Sequence, residues 1–177
     1  MSEALTPPET QLWTEAGFRA DDWVHAESAE ALAGNHRVIL PLAAYLELDA
    51  ETRDGAADRI GVILAPAEPV ESIVPHLPKL ALVALAFPAF NDGRSYSKAE
   101  LLRRRHDYKG PLRATGDVLI DQIPHMLRTG FDEFEVTNPT ALKRLQENHP
   151  GGLGLHYQPA ARPAAPGGGY SWRRLPS

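Results

Sequence analysis

Leu80-Ala81-Leu82-Val83-Ala84-Leu85-Ala86-Phe87 is an unbroken apolar run with no polar alternation. A strand of that kind is expected where both faces of a sheet are covered, as in a parallel sheet packed by helices. The flanking segments keep to the same scheme. Val38 to Leu40 is a short apolar, β-branched run, and Pro41 opens a helix with Leu42, Tyr45 and Leu46 on one face. Arg59 to Leu64 reads as a buried strand. Pro69 sits at a helix start, and Val70, Ile73, Val74 and Leu77 recur at helical spacing, with Pro75 expected to kink or shorten that helix.

Beyond the apolar run, Ser97-Lys98-Ala99-Glu100 fits a capping box and predicts a helix to about His106. Leu112 to Thr115 is a short strand. Asp117 is placed to cap a helix carrying Leu119, Ile123, Met126 and Leu127, which Gly130 ends. Phe134 to Val136 reads as a further strand, and Asn138-Pro139 starts a last helix bearing Leu142 and Leu145. Strands and helices alternate with short loops, which predicts an α/β fold with right-handed crossovers and a mostly parallel sheet. The βα repeats suit an open doubly wound sheet, with half of a (βα)8 barrel as the alternative. The length of 177 residues favours the open sheet, because a full barrel takes about 250.

Three regions follow from composition. Residues 1–35 carry Trp13, Phe18 and Trp23 among acids and alanines without a clear period, and read as an N-terminal extension with local packing. Residues 36–149 form a single α/β domain. Residues 150–177 read as a C-terminal tail: Pro150 to Gly169 contains six Gly and four Pro, too little apolar surface to offset its ordering entropy. The aromatics of Tyr170 to Arg174 offer that tail a means of docking.

Several function classes are disfavoured. With 18 Lys and Arg against 23 Asp and Glu, the net charge of −5 argues against nucleic acid as a partner. Cysteine is absent, which removes disulfides, thiol chemistry and thiolate-ligated clusters. The longest apolar stretch, interrupted by Pro88, is too short to span a membrane, and the N-terminus lacks the layout of a secretory signal. A cytoplasmic protein is expected. The seven histidines show no metal-ligand spacing, so no metal site is expected, and no cofactor is indicated. Phosphate-loop, dinucleotide and nucleophile-elbow patterns are missing.

Candidate chemistry lies where parallel α/β folds bind ligands, beyond the carboxyl ends of the strands. The segments after Phe87, around Thr115 and after Val136 bring Asp92, Arg94, Arg113 and Asp117 towards one rim, with Ser97 at the expected helix start. Free helix N–H groups and two guanidinium forks suit a small anion. The structural alternative is that Asp92 and Asp117 pair with those arginines or cap helices. Arg103, Arg104 and Arg105 are expected to be solvated. From Arg94 to Arg113 there are seven bases against two acids, 7 − 2 = +5, which leaves −10 for the remainder. That asymmetry leaves room for a small anion or an acidic protein surface.

The stretch Phe87-Pro88-Ala89-Phe90-Asn91-Asp92-Gly93-Arg94-Ser95-Tyr96-Ser97 carries a likeness, continued by Leu101-Leu102-Arg103, Leu112 to Leu119, Asp121-Gln122 and Gly130-Phe131-Asp132. Together they resemble a bacterial family of uncharacterised proteins, domain-of-unknown-function family 934, over roughly Asp21 to Tyr157. Members of that family more commonly have glycine at the position of Ser95, glutamate near Pro111 and no proline at Pro124. Asp92, Arg94, Ser97, Arg113 and Asp117 match its motif, and the family has no established catalytic residue to transfer. Because its members are often encoded beside assimilatory sulfite reductase, the resemblance implies an accessory protein of sulfite reduction. Such a protein would bind an anion, or a partner such as sulfite reductase, at the strand-end rim. Two alternatives stand beside it. One is an enzyme acting on an anionic small molecule, with Asp92 or Asp117 as acid–base group and Arg94 with Arg113 as clamp. The other is a structural adaptor that forms a homodimer.

Overall fold

The computed structural model describes residues 10–147 other than Asn35 and Phe90. The expected Gly/Pro-rich tail, with its aromatic end at Tyr170 to Arg174, lies outside these residues. Eight strands form one sheet: β1 (Gln11–Thr14), β2 (Gly17–Arg19), β3 (Trp23–His25), β4 (Arg37–Pro41), β5 (Ile60–Leu64), β6 (Leu82–Phe87), β7 (Leu112–Gly116) and β8 (Glu133–Val136). Their order is β2-β1-β8-β7-β6-β5-β4-β3. Strands β3 to β8 are parallel and consecutive, and the β1–β2 hairpin lies antiparallel against β8.

The α/β class and the mostly parallel sheet are as the sequence predicts. A doubly wound sheet needs a reversal of strand order, and β3 to β8 show none. Every right-handed crossover therefore leaves its connection on the same face, and the sheet curls into the half-barrel form. Small residues on the inner face, Gly61, Ala84 and Ala86, leave room for that curl. The two edge strands are joined by only Ala20, Asp21 and Asp22. Four Cα–Cα steps span at most about 14 Å, so the unpaired edges must approach that closely.

Residues 11–25 thus contribute three strands to the sheet, where the sequence leads one to expect an extension with local packing. Strands of three or four residues are too short to display a period, which is why they escape the sequence pattern.

Helices α1 (Leu42–Glu47), α2 (Ala50–Gly55), α3 (Arg94–Glu100), α4 (Ile123–Thr129) and α5 (Pro139–Gln146) accompany the strands. Leu42 and Tyr45 of α1 are buried, but Leu46 points outward because this short helix presents only a narrow face to the sheet. The expected helix after Pro69 is instead two 3-10 segments, Val70–Ser72 and Val74–Lys79, since Pro75 and Pro78 withhold their N–H groups. Val70, Ile73 and Leu77 still enter the core. Helix α3 widens into a π turn over Leu101–Arg105, where His106 N–H donates to Leu101 O at 3.1 Å.

Gly130, at φ +114°, ends α4 with bonds to the Leu127 and Met126 carbonyls. Pro124 falls in the first turn of α4, where no N–H is needed, and so leaves the helix intact. Asn138 caps α5 by accepting from Ala141 N–H at 3.0 Å.

The main core lies between helices and sheet. Leu40, Val62, Leu85, Phe87, Ala114, Phe134 and Trp13 project into it from successive strands. Ring centroids of Phe87–Phe131, Phe131–Phe134 and Trp13–Phe134 lie 5.6, 6.4 and 5.6 Å apart, so one aromatic chain ties β6, β8 and β1 together. Each such ring contributes about 1.5–3 kcal/mol by burial. On the inner face, Ile39, Leu82 and Ala84 pack with Trp23 and Ile63 in a smaller apolar cluster.

Candidate functional site

The inner face changes character towards β7 and β8. Period-two alternation sends Leu112 and Ala114 to the core and Arg113 and Thr115 inward. In β8, Phe134 and Val136 enter the core and Glu133 and Glu135 point inward. Register places Arg113 directly beside Glu133. Strand β3 faces them from across the interior with Trp23 and His25, and Asp21 precedes it.

Arg113 is the largest fully buried side chain among the described residues. Its Nε donates to Glu133 at 2.9 Å. Nη1 donates to Asp21 and Glu135, each at 3.0 Å. Nη2 donates to Asp21 at 3.1 Å and pairs with Glu133 at 2.8 Å. All five guanidinium N–H groups are therefore used. The anion clamp expected of Arg94 with Arg113 does not form, because Arg113 has neither exposure nor a spare donor.

Glu135 is equally committed. His25 Nε2 lies 2.8 and 3.0 Å from its two oxygens, and Thr115 Oγ1 donates at 2.8 Å. Burial would raise its carboxyl, but the hydrogen bonds and charge of His25, with the Thr115 and Arg113 donors, prevail and hold it at about 2. His25 is raised above 6.5, foremost by its bond to Glu135 and against the effect of burial.

Beyond this network, an open pocket of about 500 Å³ lies at the carboxyl ends of β6 to β8, lined by Phe87, Pro88, Thr115, Asp117, Glu135 and Thr137 among others. Gly116 closes its floor. At φ +100° it brings β7 so near β6 that a Cβ would overlap the Phe87 carbonyl oxygen, which also accepts from Asp117 N–H at 2.6 Å.

The remaining expected site residues are dispersed around this rim. Asp92 and Arg94 pair with each other at 3.0 and 2.7 Å. The Arg94 hydrogen bond holds the Asp92 carboxyl at about 2. Ser97 does not cap a helix: α3 begins at Arg94, and Ser97 lies on its exposed side. The buried hydroxyl at this end is Ser95, which donates to Ala86 O at 2.7 Å and is helical rather than in a free loop. Asp117 lines the pocket and does not cap α4, which starts at Ile123 with Gln122 at its N-cap.

Arg103, expected to be solvated, is fixed by the Tyr108, Gly110 and Gly130 carbonyls at 2.6, 2.9 and 3.0 Å and by Asp132. Sequence reasoning also passed over Asp21, His25, Glu133 and Glu135. The signal for the glutamates lies in the alternation of adjacent strands, which turns Arg113 and Thr115 of one and the acids Glu133 and Glu135 of the other inward together. Among the described residues no three metal-ligating side chains converge, and no helix is long and apolar enough to cross a membrane.

The family model for a bacterial protein of unknown function, DUF934, matches residues 61–167, more than half of the chain. The chain belongs to this family. The DUF934 match begins in β5 and takes in Arg113, Thr115, Glu133, Glu135 and every residue expected at the rim, while Asp21 and His25 lie before it. No curated protein matches the chain.

Proposed function

We propose that this DUF934 protein is an accessory factor of assimilatory sulfite reduction that acts by contact rather than by chemistry, presenting the rim pocket to a protein of that pathway. One observation carries the reading: the interior groups suited to acid–base or anion chemistry already satisfy one another. Arg113 spends every donor on three carboxylates, and Glu135 is held ionised by its own donors. Neither Arg113 nor Glu135 can then exchange protons with a substrate near neutrality.

Carboxylates of Asp117 and Glu135 line the pocket, which favours a protein surface over a small anion as occupant. The enzyme reading is weakened because Asp92 is tied to Arg94 and Arg113 is inaccessible. Self-association has little apolar surface to use: among the described residues the exposed large hydrophobic side chains are Val24 and Leu46, too few for a dimer core. The pathway assignment rests on the company that family members keep.

Growth of a deletion strain on sulfate, compared with growth on cysteine, tests the proposal. A defect on sulfate that cysteine relieves supports it, and equal growth on both overturns it. Thr137→Arg, which fills the pocket mouth from the strand end, is expected to abolish complementation while the purified variant melts as the wild type does.

A further inference from the structure

Strand β3 pairs over only three residues, Trp23 to His25, with β4, and is the edge of the parallel sheet. What holds it over the interior is side-chain chemistry. Asp21 grips Arg113 of β7, and His25 straddles both oxygens of Glu135 of β8, 110 positions away. Glu135 and Thr115, which His25 and Arg113 help to fix, form part of the floor of the rim pocket. We propose that His25 is a protonation-controlled clasp that holds β3 against the acidic wall of the half-barrel and so sets how accessible the pocket floor is. The inference deepens the contact-surface reading of that pocket, on which its functional meaning rests.

The charge balance gives the clasp its direction. The groups facing His25 are Glu135 from β8, Arg113 from β7 and Asp21 from the link between the sheet edges. Glu133 occupies the remaining side of the same guanidinium. One guanidinium thus meets three carboxylates, and an imidazolium reduces the excess of negative charge. Glu135 stays ionised across the neutral range, while histidine is the side chain that changes charge there. Because His25 is raised above 6.5 in the folded protein, its ionic tie is complete below pH 6.5 and is lost as pH climbs through the raised midpoint. Neutral His25 retains a donor for Glu135 but not the charge. Its side chain is 44% solvent-exposed, so it can exchange protons and release without unfolding the core.

Hydrogen–deuterium exchange on the full-length protein tests the clasp, with rates corrected for the intrinsic pH dependence. Between pH 6 and 9, peptides covering residues 21–26 should open about five-fold more often, the scale of one partly exposed ion pair. Peptides covering β7 should not change. His25→Gln keeps a donor and removes the titration, so its corrected exchange should be flat with pH. Constant protection in the wild type, or the same pH response in His25→Gln, overturns the clasp. The nuclear magnetic resonance titration of the His25 ring gives a second readout on unmutated protein: a midpoint at or below 6.5 overturns it as well. These measurements use purified protein alone. Equal growth of the deletion strain on both sulfur sources would therefore remove the functional reading and leave the clasp standing.

Discussion

Arg113 of β7 and Asp21 of the link between the two sheet edges are joined by two hydrogen bonds of 3.0 and 3.1 Å, one from each terminal nitrogen of the guanidinium. The pair fastens the amino-terminal edge of the sheet to its opposite wall. It also explains how an arginine can lie fully buried. The charge is shared among Asp21, Glu133 and Glu135, and the planar fork meets each carboxylate with a directed bond.

Arg113→Met is expected to destabilise the fold by about 3–5 kcal/mol, because it leaves three carboxylates facing one another without their common partner. Arg113→Lys should recover only part of the loss, since an ammonium has three donors and no fork. Urea denaturation with intact slopes measures both. A loss under about 1 kcal/mol for the methionine variant would contradict the network.

Acid stability should report on Glu135. Its folded carboxyl lies at about 2 against an ordinary 4.5, so the stabilisation from its ionised form is complete above pH 4.5 and drains away as pH falls from there through 2. The gap corresponds to at most roughly 3 kcal/mol. Thermal midpoints followed from pH 6 to 2 should fall more steeply for the wild type than for Glu135→Gln, with the two curves converging at the acid end.

Much of this architecture is legible in the sequence, and the parts that are not have a common cause. The apolar run ending at Phe87, the stop at Gly130 and the Asn138 cap each combine a local preference with a long enough segment to express it. The capping box at Ser97 misleads because it is a spacing of side chains, whereas the helix is started one turn earlier, where Ser95 finds the Ala86 carbonyl. Asp117 misleads likewise, since Gly116 pins the following backbone to β6 before any helix can begin. The charged network is harder still to foresee. Its members lie on four separate segments, and only the sheet's curl brings Asp21 and His25 to residues some ninety or more positions later. The local excess of positive charge after Arg94 is also reduced by folding, because Lys98, Arg103 and Arg113 are committed to internal partners.

Two glycines should respond in opposite ways to alanine. Gly116→Ala meets both an unfavourable φ of +100° and the Phe87 carbonyl, and should cost about 2 kcal/mol or more. Gly55, the last residue of α2, has open space around its Cα, and Gly55→Ala should be neutral or stabilising by up to about 1 kcal/mol. Paired thermal melts distinguish them. Equal effects would show that the close approach of β7 to β6 is not a constraint.

Ser95→Ala should lose about 1 kcal/mol, the worth of its buried bond to the Ala86 carbonyl. Ser95→Gly should lose roughly another 1 kcal/mol from helix propensity. Chemical denaturation of the two variants gives the order directly, and a glycine variant more stable than alanine would contradict the helical placement.

The position of the β1–β2 hairpin has a consequence for how the molecule is made. Apart from each other, the hairpin strands have one ladder partner, β8, whose last residue is Val136. A chain synthesised from its amino terminus therefore produces Trp13 long before Phe134, the ring that covers it. Closing so long a loop is slow, and the hairpin alone is too short to persist in water. The parallel strands can condense in sequence as they emerge, each beside the last. The hairpin, made before the six parallel strands, then takes its place in the sheet after them.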